Sequence, residues 1–268
     1  MDTAKSSSTL RFLEGHEVFT LEEYLGAVDP AVTERTRYTN LQNAVRRGQA
    51  YRAKRGLYAS NLGVYRDRVP NVFLLASKAA GDAVVSHHSA LEAHGVAHSP
   101  LRTVYFTSGQ KIGDFEVRGY RFHRVALPEV PDPDATFESY STRLRAGEAL
   151  VPATTRERTL VDCLRDIRLA GGLEELLRSL GGFTSMSTAA LTSTVCQFES
   201  PTIRARVGWT CEMFQDDWGV DSEFLDALSQ GLGRGTYRLL PHARRQEFVA
   251  RWRLYVPADL PYADWARG

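Results

Sequence analysis

The sequence predicts an α+β fold, with an N-terminal winged helix-turn-helix over residues 1–62 followed by a larger mixed α/β domain over residues 63–268. Three observations carry this. Thr20 and Glu23 form a capping box at the head of a short helical segment. Gly48 closes a longer amphipathic helix, and two aromatic-flanked strands with a glycine at their tip follow at once. Beyond residue 70, helical and strand periodicities alternate.

The elements of the first module follow in order. Leu10, Phe12 and Leu13 give an apolar stretch for a first helix that ends near Gly15. The polar, serine-rich residues 1–8 before it are expected to fray. A second helix starts at Thr20 and runs to about Ala27, with Phe19 and Tyr24 placed as a hydrophobic staple. Asp29-Pro30 breaks it into a turn. The third helix covers roughly Val32 to Arg47, with Gly48 as its C′ residue. At about 100° per residue, Tyr38, Leu41, Ala44 and Val45 share the face expected to pack inward. A hairpin follows, from Gln49–Ala53 through the tip Lys54-Arg55-Gly56 to Leu57–Ala59.

The outward face of the third helix then holds Thr36, Thr39, Asn40, Asn43, Arg46 and Arg47, with Arg35 at its edge. Short hydrogen-bonding side chains precede arginines, as a recognition helix requires. Asparagine can bond adenine N6 and N7 together, threonine suits several base edges, and arginine takes guanine or phosphate. From Arg35 to Arg55 there are seven basic residues and no acidic one, while the whole chain carries a net charge of only +1. Lys54 and Arg55 place charge at the hairpin tip. These residues point to double-stranded DNA as partner. The plainer alternatives are a solvated basic face, or a winged helix that docks a protein.

The same stretch carries a resemblance. FTLEEYLGAV (19–28) and NAVRRGQAYRAKRGLYA (43–59) resemble the N-terminal domain of AbiEi-type antitoxins of type IV toxin–antitoxin systems. The resemblance continues through DAVVSHHSALEAHGVA (82–97), ATTRERTLVDCL (153–164), ARVGWTCEMF (205–214) and FVARWRLYVP (248–257). It implies a transcriptional autorepressor that binds its own promoter, with inverted repeats expected there, in an abortive-infection (phage defence) operon. It also implies a nucleotidyltransferase-like toxin as functional partner, opposed without the need of a stable complex. It supplies no catalytic residue.

The remaining residues argue against an enzyme. His87, His88, His94 and His98 crowd together, and His94 and His98 stand at i, i+4. A zincin needs a glutamate directly after the first histidine, yet Gly95 stands there and is expected to end a helix. Ser89 and Glu92 read as a second capping box instead. A PD-(D/E)xK nuclease needs a lysine beside its acidic pair, but none lies near Asp216, Asp217, Asp221 or Glu223. The Gly-Ser of a nucleotidyltransferase, the Walker A loop and the GxGxxG loop are all missing from the chain. The expectation is therefore no catalytic residue, no metal and no cofactor.

The composition, with 43% hydrophobic and 24% charged residues, is ordinary for a soluble protein with a real core. Cys163, Cys196 and Cys211 form no CxxC pair and read as reduced, mostly buried thiols. The start has no signal-like apolar run and no segment approaches membrane-spanning length, so the expected location is cytoplasmic. LPEVPDPDAT (127–136) reads as a loop. Arg158 and Asp162 are expected to pair on a helix surface. Phe248, Ala250, Trp252, Leu254 and Val256 alternate as one half-buried strand.

Overall fold

The fold was described from a computed structural model, which describes residues 3–128 and 137–266. The 127–136 loop therefore falls outside the described residues from 129 onward. The chain divides into two compact units: Met1–Val84, Arg102–Ala126 and Arg145–Val151 in the first, Val85–Leu101, Leu127–Leu144 and Pro152–Gly268 in the second.

In the first unit, helix α1 (Thr3–Gly15) leads into strand β1 (Val18–Thr20) and helix α2 (Leu21–Ala27). The helix starts at Thr3, so residues 3–8 are helical where fraying was expected. His16 ends α1 by donating its ring N–H to the Phe12 carbonyl at 2.8 Å, its ring stacked on that of Phe12. The capping box of α2 is complete: Glu23 N–H donates to Thr20 Oγ1 at 3.1 Å, and Thr20 N–H to Glu23 Oε2 at 2.7 Å. Helix α3 (Glu34–Arg46) begins on Thr33 and ends at Gly48, whose φ of +70° suits a residue without a Cβ.

Strands β2 (Ala50–Lys54) and β3 (Leu57–Ser60) form the hairpin, with Arg55-Gly56 as its turn and a register shift between Arg52 and Lys54. β1 pairs antiparallel with β3 from Val18↔Ala59 to Thr20↔Leu57, giving a sheet of order β1-β3-β2. Phe12, Leu13, Phe19, Tyr24, Val28, Leu41, Ala44, Ala50 and Tyr58 make the core of this module. Buried Tyr24 joins three helices: its hydroxyl sits 2.9 Å from Thr9 Oγ1 and donates to the Arg37 carbonyl at 3.2 Å. Both polar ends are thus satisfied inside an apolar cluster.

The α3 core stripe differs from expectation at Tyr38. Leu41 and Ala44 are buried, but Tyr38 is 42% exposed. Arg37 takes the inward place, where its stem fills the stripe and Nη1 donates to the Val28 carbonyl at 3.1 Å. The helix is rotated accordingly, and Tyr38 moves to its flank.

The first unit also contains helix α4 (Val72–Ser77), capped by Asn71, whose Oδ1 accepts from Phe73 and Leu74 N–H. Strand Thr103–Ser108 runs parallel to Tyr120–Ala126, which pairs antiparallel with Phe115–Val117.

The second unit is mainly helical: α5 (His87–Ala93), α6 (Arg156–Arg165), α7 (Leu173–Leu180), α8 (Thr188–Cys196), α9 (Pro201–Met213), α10 (Gln215–Trp218), α11 (Ser222–Gln230) and α12 (Tyr262–Ala266). Thr155, Ser187, Ser200 and Asp221 cap α6, α8, α9 and α11 through their side-chain oxygens. Leu160, Val161, Leu164, Leu176, Leu177, Val207, Phe214 and Trp252 belong to one continuous core. The stretch expected as one strand is a hairpin, Gln246–Val249 against Leu254–Pro257. Arg253, at φ +49°, lies in its turn, which leaves Trp252 fully buried and Phe248 exposed.

Two expectations for this unit need correcting. Arg158 and Asp162 do pair, at 2.9 Å, but they are buried rather than on a surface. Ser89 does not cap a helix, because α5 starts earlier, at His87, and Ser89 lies buried inside it. Glu92 serves His88 instead. Gly95 does end α5, at φ +77°.

His88 is buried between two carboxylates: Nδ1 lies 2.9 Å from Glu92 Oε1 and Nε2 3.0 Å from Glu175 Oε1. With a carboxylate oxygen facing each ring nitrogen, the arrangement favours the doubly protonated imidazolium. Burial opposes that charge, but the bonds to Glu92 and Glu175 outweigh it and raise the pKa above its ordinary 6.5. Glu175 also accepts from Ser99 and Ser179; burial opposes its charge too, yet these bonds and His88 leave its pKa below 4.5. A raised histidine stabilises the fold fully below its unfolded pKa and loses that contribution as pH rises through the folded one. Glu175, being depressed, loses its contribution as pH falls through its folded value. The stability gap between the native chain and His88→Gln should therefore be wide at pH 6 and narrow at pH 9. Urea midpoints at the two values check this, and a gap unchanged with pH would contradict it.

Candidate nucleic-acid interface

The interface is built on α3 and the β2–β3 hairpin of the first unit. α3 is held at its start by Thr33, which accepts from Thr36 N–H at 3.3 Å, and at its base by Leu41 and Ala44. Its most exposed line is Arg35, Thr39 and Arg46. Thr36, Asn40 and Asn43 lie half-buried on one shoulder of that line, ending in exposed Arg47, while Tyr38 and Gln42 lie on the other. The nine residues singled out from sequence thus fall on one helix and one hairpin tip. Arg55 is exposed in the turn, and Lys54 is half-buried, which lowers its ammonium pKa by desolvation.

Hydrogen bonding limits what each side chain can do. Thr39 Oγ1 donates to the Arg35 carbonyl at 2.8 Å, leaving its oxygen lone pairs as acceptors. Thr36 Oγ1 lies 3.0 Å from Thr33 Oγ1 and is tied into the cap. Asn40 and Asn43 make no side-chain bond among the described residues, so both amides keep a donor and an acceptor free. Gln42, which the sequence reading did not select, reaches Tyr58 Oη at 3.4 Å.

The arginines divide in the same way. Arg37 is turned inward, and Arg52 donates to the Lys54 carbonyl at 3.3 Å. Arg35, Arg46, Arg47 and Arg55 are exposed and have no ion pair among the described residues. Elsewhere in the chain many arginines are engaged: Arg121 with Asp114, Arg158 and Arg165 with Asp162, Arg178 with Glu174, and Arg251 with Glu212 and Asp226. An arginine without a protein partner is one whose donors remain available to phosphate.

A cleft of about 640 Å³ opens beside α2 and the head of α3, lined by Leu21, Glu22, Leu25, Glu34, Arg37 and Gly56 among others. Glu22 and Glu34 make its rim repel phosphate, so the polyanion-compatible surface lies along the outer α3 line and its arginine end.

No family profile and no curated protein matches this chain. A solved structure does: the RV2827C protein from Mycobacterium tuberculosis, at a TM-score of 0.69 and 15% identity, over 97% of this chain and 94% of that one. The two chains share a fold. Among the described residues, no helix is long and apolar enough to cross a membrane, and no three metal-capable side chains gather.

Three of the histidines singled out from sequence bond to separate partners. His88 serves Glu92 and Glu175, while the His94 ring donates to the Thr154 carbonyl at 2.8 Å. His98 is held through its backbone N–H by Ser179 Oγ.

Proposed function

We propose that this protein binds double-stranded DNA sequence-specifically through residues 1–62 and represses transcription from its own promoter. In this reading α3 enters the major groove, where Asn40 and Asn43 read base edges. Arg35, Thr36 and Thr39 support them, while Arg46, Arg47, Lys54 and Arg55 hold phosphates. The observation that carries it is a capped helix whose Asn40 and Asn43 amides make no side-chain bond, followed by arginines that have no ion pair, both among the described residues. The resemblance to AbiEi-type antitoxins supports the finer role: a cytoplasmic, non-enzymatic antitoxin of a type IV system that opposes a nucleotidyltransferase-like toxin. Residues 63–268 form the antitoxin-like part of this proposal, with no metal or cofactor required.

The test separates reading from anchoring. Asn43→Ala should weaken binding to a promoter duplex by roughly 1–3 kcal/mol and leave a scrambled duplex almost unchanged. Arg55→Ala should weaken both duplexes alike and lower the salt slope by about 1. Equal losses on both duplexes for the two variants would remove base reading.

One observation favours a second reading, in which the winged helix docks a protein. The cleft has an apolar floor of Leu21 and Leu25, and Tyr38 stands exposed on the α3 flank. Under that reading Tyr38→Ala and Leu25→Ala lose a partner while every DNA isotherm stays unchanged.

A further inference from the structure

The loop that follows the hairpin brings a second pair of arginines to the end of α3. Asn61 makes this attachment. Its Nδ2 donates to the Gly48 carbonyl at 2.9 Å and its backbone N–H to the Gln49 carbonyl at 2.9 Å. Its Oδ1 accepts from Asp67 N–H at 2.7 Å. One side chain thus ties residue 67 to the carbonyl just past the C-terminus of α3. The chain between is ordered by a short 3-10 turn at Gly63–Tyr65, and the Tyr65 carbonyl accepts from Arg68 N–H at 3.3 Å. Asp67 takes a positive φ of +57° in the turn between the two arginines.

Arg66 and Arg68 are exposed, and neither has an ion pair among the described residues, Asp67 between them included. The same holds for Arg46 and Arg47 at the end of α3. A loop tied at both its root and its tip has its backbone ordered before any partner arrives, so only the side-chain freedom of the two arginines is lost on binding.

We propose that residues 61–68 form a second phosphate-holding element of the DNA interface, in which Arg66 and Arg68 grip the backbone beside the phosphates taken by Arg46 and Arg47. This rests on the reading of the first unit as a DNA-binding module and extends it beyond the hairpin. Because these contacts go to phosphate, they position the protein on the duplex and carry no sequence information.

The experiment uses the full chain and two labelled 40-bp duplexes, the sequence upstream of its own gene and a scramble of it. Fluorescence anisotropy is followed from about 50 to 200 mM KCl. Arg66→Ala with Arg68→Ala should weaken both duplexes alike, by about tenfold or more at the middle of that range, and lower the salt slope by about 2. Arg46→Ala with Arg47→Ala should do the same, while Asn43→Ala keeps the native slope. A native slope and affinity in the Arg66/Arg68 variant, with both reduced in the Arg46/Arg47 variant, would overturn the loop's role and leave the module's function standing. Unchanged binding in both double variants would overturn the DNA reading itself. A loss on the promoter duplex alone would show that the loop reads bases, which also overturns the proposal.

Discussion

Asp162→Asn is expected to destabilise the protein by about 3–5 kcal/mol, the largest effect of any single substitution considered. Asp162 is buried on α6 between two guanidinium groups, with Oδ2 2.9 Å from Arg158 Nε and Oδ1 3.5 Å from Arg165 Nη1. Arg158 is itself buried, beside the rings of Phe198 at 5.1 Å and Tyr140 at 5.8 Å. Asparagine keeps the shape and removes the charge, so the buried Arg158 cation loses the carboxylate that its Nε donates to. Arg165 suffers less, because its side chain remains 31% exposed and can turn to water. Removing both charges should cost far less, so Arg158→Met with Asp162→Leu should recover most of the loss, methionine packing on the same rings. Urea unfolding of the three variants measures this. If the double variant were as unstable as Asp162→Asn, the uncompensated charge would not be the cause.

Gly208→Ala is expected to destabilise the protein by about 2–3 kcal/mol, although alanine is the better helix former. Gly208 lies in α9, and a Cβ built there would stand 2.0 Å from Trp252 Cζ3 and 2.4 Å from Cε3. The indole cannot easily retreat, because it is fully buried and its Nε1–H donates to Glu212 Oε2 at 2.6 Å. Helix propensity would gain about 1 kcal/mol, and the clash outweighs it. Thermal unfolding should show a midpoint lowered on the order of 5–10 °C. Trp252→Leu combined with Gly208→Ala makes room for the methyl group, so adding the alanine to a Trp252→Leu background should cost much less. An equal cost in both backgrounds would place the strain elsewhere.

What the sequence made legible was local. The Thr20–Glu23 box, Gly48 and Gly56 each act within a few residues, and each appears where the spacing placed it. The sheet order was not legible, because β1 is three residues long and finds its partner in β3 about forty positions away. Tyr38 was misplaced because the 3.6-residue period marks apolar side chains and ignores the stem of an arginine such as Arg37. The spacing of Arg158 and Asp162 announced a pair, but their burial depends on Tyr140 and Phe198, which no helical period reveals. Among the candidate site residues, the exposure of Arg35, Arg46 and Arg47 was readable from the wheel, whereas Asn40 and Asn43, which the wheel put on the same exposed face, lie half-buried on its shoulder. Arg66 and Arg68 were overlooked because they stand beyond residue 62 in sequence, while Asn61 joins them to α3 in space. The basic spacing in GVYRDRV was the available signal.

The segmented make-up of the two units has a consequence for synthesis on the ribosome. The cluster around Tyr24 draws on residues 9–62 alone, so it can close as soon as that stretch leaves the exit tunnel. The first unit as a whole waits for Arg145–Val151, and the second cannot seat Trp252 against Gly208 until almost the entire chain is made. Nascent chains halted near residue 100 should therefore already protect the α1–α3 amides from exchange, while those of α9 stay open until release. A messenger truncated late would then yield a chain whose first module is folded and whose helical core is left to proteases.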